Sequence, residues 1–291
     1  MNRKSLQFRA IACCLSIGLV IAESANAGVV VSVEGNIARA DIALGGTPEN
    51  PQYTANVSFT FDSAIGLSAE NLNITAQIID PSDPALQARL PDGNLVSVPS
   101  NFPVLISVNP LLAGGFEFLG AAYVDIYTTN LSYTGNSPYR LYKASTGAMF
   151  TDLTEDVIPG SIRCRSRTGG FSDFLIVVDL RSPREAAEDK FAFLNARLLD
   201  AAIEPAARGA MQRDLEESYE EFLEGDYEDA REELDDLELR VTAVAGTALP
   251  NRWRAGGDLD NIAGSLESSA ASLDFNLRQL EDEDEDEDEE G

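Results

Sequence analysis

The chain has 291 residues, with 49 acids against 21 Lys and Arg, no histidine and a formal net charge of −28. Without imidazole, a Ser-His-Asp or Cys-His nucleophile system is excluded, and so are the usual zinc sites. So acidic a surface repels nucleic acid and anionic lipid and attracts cations or basic partners.

Residues 1–27 read as a secretory signal. Arg3, Lys4 and Arg9 form a basic start, Ile11 to Ala22 is uninterruptedly apolar, and Ala25-Asn26-Ala27 offers small residues for cleavage between Ala27 and Gly28. The apolar run is too short for a helix that must cross ~30 Å of hydrocarbon, so no stable membrane insertion is expected. Cleavage removes three basic residues and one acid, leaving a net charge of −30. The protein is then expected in the periplasm or outside the cell. The remaining chain holds one cysteine, Cys164, so no intramolecular disulfide can form.

From residue 28 to 181 the pattern is that of strands. Val29–Val33, Ala55–Phe61, Leu72–Ile79, Val104–Val108, Ala121–Thr129, Tyr139–Ala144 and Phe174–Val178 are β-branched or aromatic runs bounded by Gly, Pro, Asn and Asp. Val57, Phe59 and Phe61 alternate with Ser58 and Thr60, the rhythm of a half-buried strand. Such closely spaced strands predict an antiparallel β-sandwich of immunoglobulin-like kind. Phe174–Val178 is apolar on both faces and reads as a central strand whose second face the following helices cover. Arg163, Arg165 and Arg167 alternate with Ile162 and Cys164 and make a basic stripe on one strand face. It suits an anionic ligand or, preferably, the acidic helical part of the same chain, while Cys164 reads as a small buried hydrophobe.

After Leu180 the period lengthens. Ser182-Pro183 is a helix start, with Phe191, Leu194 and Leu198 following at helical spacing. Met211, Leu215, Tyr219 and Phe222 mark a second helix, which Gly225 ends. Asp226 is placed to cap a third, whose stripe is Tyr227, Ala230, Leu234, Leu237, Val241 and Val244. Asp258 is read as the cap of the last, carrying Leu259, Ile262, Leu266, Leu273, Leu277 and Leu280. Residues 182–280 therefore predict an antiparallel bundle of three to four helices with its own hydrophobic nucleus, and Trp253 is expected to plug the preceding loop onto it. Residues 281–290 are ten consecutive acids, and 281–291 is expected to be a disordered tail.

Nothing here spells out a reaction. The acidic pairs Glu216-Glu217, Glu220-Glu221, Glu232-Glu233 and Asp235-Asp236 are spaced as the polar face of a helix. Asp80-Pro-Ser-Asp-Pro84 and Leu90-Pro-Asp-Gly93 are turn-makers. Tyr123 and Tyr127 share a strand face and suit either sugar stacking or rim packing. No catalytic residue, cofactor or metal ligand is assigned.

Phe102-Pro-Val-Leu-Ile-Ser-Val-Asn-Pro110, Tyr139-Arg-Leu-Tyr-Lys143 and Gly169-Gly-Phe-Ser-Asp-Phe-Leu-Ile-Val-Val-Asp179 precede Leu249-Pro-Asn-Arg-Trp-Arg-Ala255 and Asp258-Leu-Asp-Asn-Ile-Ala-Gly264. In combination they resemble a family of exported bacterial proteins classed only as a domain of unknown function. The resemblance implies export and a common fold, an Ig-like sandwich followed by a helical module, and carries over no site residue. The expectation is a non-enzymatic exported protein that binds a protein or glycan partner or serves a structural interaction. The alternatives are a carboxylate-dependent, carbohydrate-active hydrolase and a calcium-responsive surface protein.

Overall fold

A computed structural model describes residues 28–134, 136–145 and 147–290. The expected signal and its cut before Gly28 fall on residues 1–27, outside the described residues. The chain opens with β1 (Gly28–Glu34), β2 (Ile37–Thr47) and β3 (Asn50–Ile65), then α1 (Ala69–Leu72), β4 (Ile74–Ile78), α2 (Pro84–Gln87), β5 (Val96–Ser97) and β6 (Val104–Val108). There follow β7 (Glu117–Ser132), β8 (Tyr139–Ala144), β9 (Thr151–Asp152), β10 (Thr154–Ile158), β11 (Ser161–Thr168) and β12 (Asp173–Asp179). The second part holds α3 (Pro183–Leu198), α4 (Pro205–Glu224), α5 (Tyr227–Val244), a short β13 (Arg252–Arg254) and α6 (Ile262–Glu290).

The strands form two antiparallel sheets. One runs β1-β2-β3-β7-β11-β10, with β13 added beside β7; the other runs β4-β6-β12-β8-β9, with β5 added beside β12. Tyr53, Ala55, Val57, Phe59 and Phe61 of β3 face Ile74, Val104, Ile106, Phe174 and Ile176 of the second sheet in a single core. Ile162 and Cys164 belong to it too, and burial pushes the Cys164 thiol up to about 12. As the alternation requires, Arg163, Arg165 and Arg167 stand on the opposite side of β11.

Strand β12 is central, between β6 and β8, and buried on both faces. Its second face is not covered by the helices, as the sequence suggested. Leu175 and Val177 pack under Leu86, Leu90, Val96, Val98 and Phe150, all upstream of β12. Two proline-interrupted turns hold that cover in place: Asp80 accepts from Ser82, and Asp83 caps α2 at Ala85 N.

Helix α3 starts in a capping box, with Ser182 Oγ accepting from Glu185 N and the Glu185 carboxylate accepting from Ser182 N. Gly225 ends α4 at φ 91°, and Asp226 precedes α5 without making a side-chain cap bond. The leucine stripes of α3 to α6 converge in a helical core, including Leu194, Met211, Phe222, Leu234, Leu237, Leu266, Leu273 and Leu277.

The helical residues form a nucleus of their own, and α6 joins it to the sheets. Helix α6 is buried nearly all round from Ile262 to Leu280. Its leucines face α3 and α5, while its small and polar face lies on β7, β10 and β11 and sends Phe275 into the sheet core. Ser and Asn on that face are buried and hydrogen-bonded: Ser268 Oγ to Arg167 O, and Asn261 Nδ2 to Gly120 O. Asn261 Oδ1, rather than Asp258, caps the start of α6 by accepting from Gly264 N; Asp258 is bound to Arg254. Trp253 likewise plugs the sheet core, not the helices, against Phe116, Phe118 and Phe171.

Helix α6 runs on through the acidic segment to Glu290. Propagating an anchored helix avoids the nucleation that makes a short free helix unfavourable. Glu281 is also tied to Arg231 of α5 at 2.6 Å.

The approach of α6 to β11 leaves no room for a side chain. A Cβ on Gly169 would stand 2.5 Å from Ser265 N and 2.7 Å from Gly264 C. Gly169→Ala is therefore expected to lower stability in urea unfolding by at least the ~1–3 kcal/mol of an overpacked core. Gly209→Ala, in the interior of α4 with open space around it, should instead raise stability by roughly 0.5–1 kcal/mol.

Candidate binding cleft

The seam between the second sheet and the helices holds an unusual set of charges. From residue 28 onward the chain has only two lysines, Lys143 and Lys190, against sixteen arginines. Both lysines lie at this seam.

Lys190 sits on the inner stripe of α3, three residues after Ala187 and four before Leu194. It is 7% exposed. Its Nζ lies 2.7 Å from Asp152 Oδ2 and donates to Ser272 O and Asn276 Oδ1 of α6. Asp152, at the end of β9, also accepts from the N–H and Oγ1 of Thr154. Sheet, α3 and α6 thus meet on one buried ion pair. Burial lowers the Lys190 pKa, and the Asp152 charge opposes that shift.

A second cluster adjoins it. Tyr142 OH donates to Asp179 Oδ2 at 2.6 Å and accepts from Arg181 Nη2, which also pairs with Asp179. The second nitrogen of the Arg181 fork reaches Asp189 of α3 at 2.7 Å. Burial raises the Tyr142 pKa, aided by the charges of Asp152 and Asp179. For Asp179, burial acts to raise the pKa, but hydrogen bonds from Arg181 and Tyr142 outweigh it and hold the carboxyl below its usual range.

Lys143, on β8, is different. Its Nζ donates to Thr168 Oγ1 at 2.7 Å and, among the described residues, meets no carboxylate within ion-pair distance. The Asp260 charge reaches it at longer range, but Asp260 is paired with Arg197 at 2.6 Å. The side chain is partly open to a cavity of about 310 Å³ while its surroundings are dense protein, and burial pushes its pKa down to about 8.

That cavity is walled by Phe171, Trp253 and the Ser265–Ser269 turn of α6. A neighbouring cavity of about 240 Å³ is lined by Asp152, Arg181, Asp189 and Lys190, and the two share Met149, Thr151, Leu153, Phe193 and Ser269. Met149 and Phe193 are 51% and 42% exposed at this shared border. The cleft thus has an apolar mouth, a saturated ionic end and a cationic end with bonding capacity to spare.

The residues singled out in the sequence lie elsewhere. Arg163 and Arg165 share Asp125 of β7, at 3.0 and 3.1 Å. Arg167 clips the sheet to α5 through Glu155 and Glu238. The stripe is thus bound within the chain, to the sheet's own acids as well as to the helices. Tyr123 and Tyr127 flank Asp125 on the same outer face, with the Arg163 guanidinium 5.1 Å from the Tyr127 ring centroid. Glu221, Glu224 and Asp226 converge within 4.8 Å at the α4–α5 turn, in solvent, where exposed acids alone specify no ion.

Four of the sequence stretches quoted for the family resemblance meet at the seam. Lys143 and Tyr142 come from one, Gly169 to Phe171 and Asp179 from the next, Trp253 from the third, and Asp260, Asn261 and Gly264 from the last. The chain belongs to DUF6689, a family of unknown function whose model matches residues 15–281. No curated protein and no solved structure matches it significantly. Among the described residues, no helix is long and apolar enough to cross a membrane.

Two outcomes follow. Lys190→Met leaves Asp152 buried without its cation and should cost roughly 3–5 kcal/mol in denaturant unfolding. For Lys143, the unfolded chain keeps the proton up to about 10.5 and the folded chain only to about 8. Between those values unfolding takes up a proton, so stability rises with pH, by at most about 3 kcal/mol. Urea midpoints of the parent chain should climb across that window, and Lys143→Met should remove the Lys143 share of the climb.

Proposed function

We propose that this chain is an exported, non-enzymatic binding protein of the periplasm or extracellular space. In this reading an immunoglobulin-like sandwich and a helical bundle are rigidly joined, and the cleft along their joint is the binding element. The observation that carries it is Lys143, a cation with one hydrogen-bond acceptor, facing a cavity with an apolar rim. The other charges of the cleft support binding over hydrolysis. Asp152 is engaged by Lys190 and Thr154, and Asp189 by Arg181, so neither carboxylate is aimed freely at a substrate. The arginine stripe is already neutralised by the chain's own acids, which favours the cleft over the outer sheet face.

Full-length protein produced in a bacterial host tests both halves. Mass spectrometry should find a chain beginning at Gly28 in the periplasm or medium. Incubation with glycan, ester and peptide panels should release no product. Retention of residues 1–27, or turnover that Asp152→Asn abolishes, would sink the reading, the latter in favour of a carboxylate-dependent hydrolase.

A further inference from the structure

An ammonium has three donors, and Lys143 uses one of them on a described residue. The hydroxyls around it do not take up the remainder. Thr168 Oγ1 accepts from Lys143 and donates to Gly170 O, while Ser268 and Ser269 donate to the carbonyls of Arg167 and Ser265. Arg197 holds Asp260 away from the amine, although Asp260 lies on the same cavity wall. The cavity therefore offers one positive donor and the lone pairs of committed hydroxyls.

Opposite this polar end are apolar surfaces: Phe171 and Trp253 on the sheet side, Met149 and Phe193 at the mouth. Half-exposed Met and Phe at one rim mark a place where an apolar group is covered. The volume, about 310 Å³, lies at the lower end of the roughly 300–1,000 Å³ of small-molecule sites. Lysine also differs from the arginines used throughout the rest of the chain. It is a compact point charge that suits a single head group rather than a planar fork.

Building on the binding reading above, we propose that this cavity takes a small carboxylate with an apolar body. Its head group sits on Lys143 Nζ, and its aliphatic or aromatic body lies between Phe193 and the Phe171–Trp253 wall. A lone inorganic anion would leave the apolar wall unused, and a neutral alcohol could accept from the ammonium but would leave its charge uncompensated.

Trp253 is the sole tryptophan of the chain, so its fluorescence reports on this wall directly. The chain beginning at Gly28 is titrated with hexanoate, phenylacetate, hexanol, 2-phenylethanol and inorganic phosphate, with calorimetry in parallel. The two carboxylates are expected to bind at least tenfold tighter than their alcohols and than phosphate. Lys143→Met should erase the carboxylate preference, and Phe193→Ser should weaken the carboxylates without restoring phosphate. In the parent chain, carboxylate affinity should fall as pH rises above 8, a readout that needs no variant. Alcohols binding as tightly as carboxylates would overturn the charged-head assignment and leave the cleft as a binding element. No response to any probe would overturn this ligand class, whereas the exported, non-catalytic reading fails only on its own test of processing and turnover.

Discussion

A helix can rest directly on the end of a strand only where neither backbone carries a side chain into the contact. In this protein that condition is met at one place, where Gly169 and Gly170, just past β11, face Gly264 and Ser265 of α6. A Cβ on Gly264 would stand 2.8 Å from Gly120 O, and one on Gly170 would stand 2.7 Å from Trp253. Three glycines therefore bring helix, sheet and tryptophan within van der Waals contact. The rest of the joint depends on that distance. Asn261 reaches Gly120 O, Ser268 reaches Arg167 O, and Phe275 reaches the sheet core only because α6 lies this close.

With the backbones so near, the polar groups between them must be satisfied internally. The joint achieves this with small hydroxyl and amide side chains and with charges drawn from both sides. Lys190 of α3 is met by Asp152 of the sheet, Arg167 of the sheet by Glu238 of α5, and Arg181 by Asp179 and Asp189. Each ion pair has one partner on the sheet side and most have the other on a helix, so the pairs fix orientation as well as distance. Such pairs supply modest net stability, but removing one partner is costly, since the other is left buried and unpaired. The helices thus pack on the sheets as a third layer.

Seven of the strands and the four long helices were legible because each rests on local periodicity. Val104–Val108 and Tyr139–Ala144 coincide with observed strands, and the helix start at Ser182 and the stop at Gly225 are where the sequence put them. The joint was not legible in the same way. Periodicity marks one apolar face, and α6 has two buried faces, the second made of Ser, Gly and Asn, which look solvated in sequence. Trp253 was assigned to the wrong core for a related reason: three residues of β13 carry too little pattern to show that they extend a sheet built more than a hundred residues earlier. The cleft residues did leave a trace that composition alone offers. An arginine-rich chain that places the two lysines after residue 27 at Lys143, inside an aromatic strand, and at Lys190, on an apolar helical stripe, sets both apart from its surface charges.

The contrast between arginine and lysine also separates structural from binding roles. Every arginine at the joint ends on a fork of acceptors that the chain provides. Arg140 reaches the carbonyls of Ser137 and Tyr139 and the Gln279 amide oxygen. Lys190 is likewise saturated. Lys143 alone among these buried cations is left with a single oxygen, although the surrounding chain carries a large excess of acids. A folded protein with a net charge near −30 has no shortage of carboxylates to place there, and Asp260 is diverted to Arg197 instead. That excess has a second effect. A field of this sign discourages anions everywhere on the surface, so an anion enters only where desolvation and a local cation act together. The cleft supplies both at one position, and the negative surround then disfavours anions that bring charge without an apolar body.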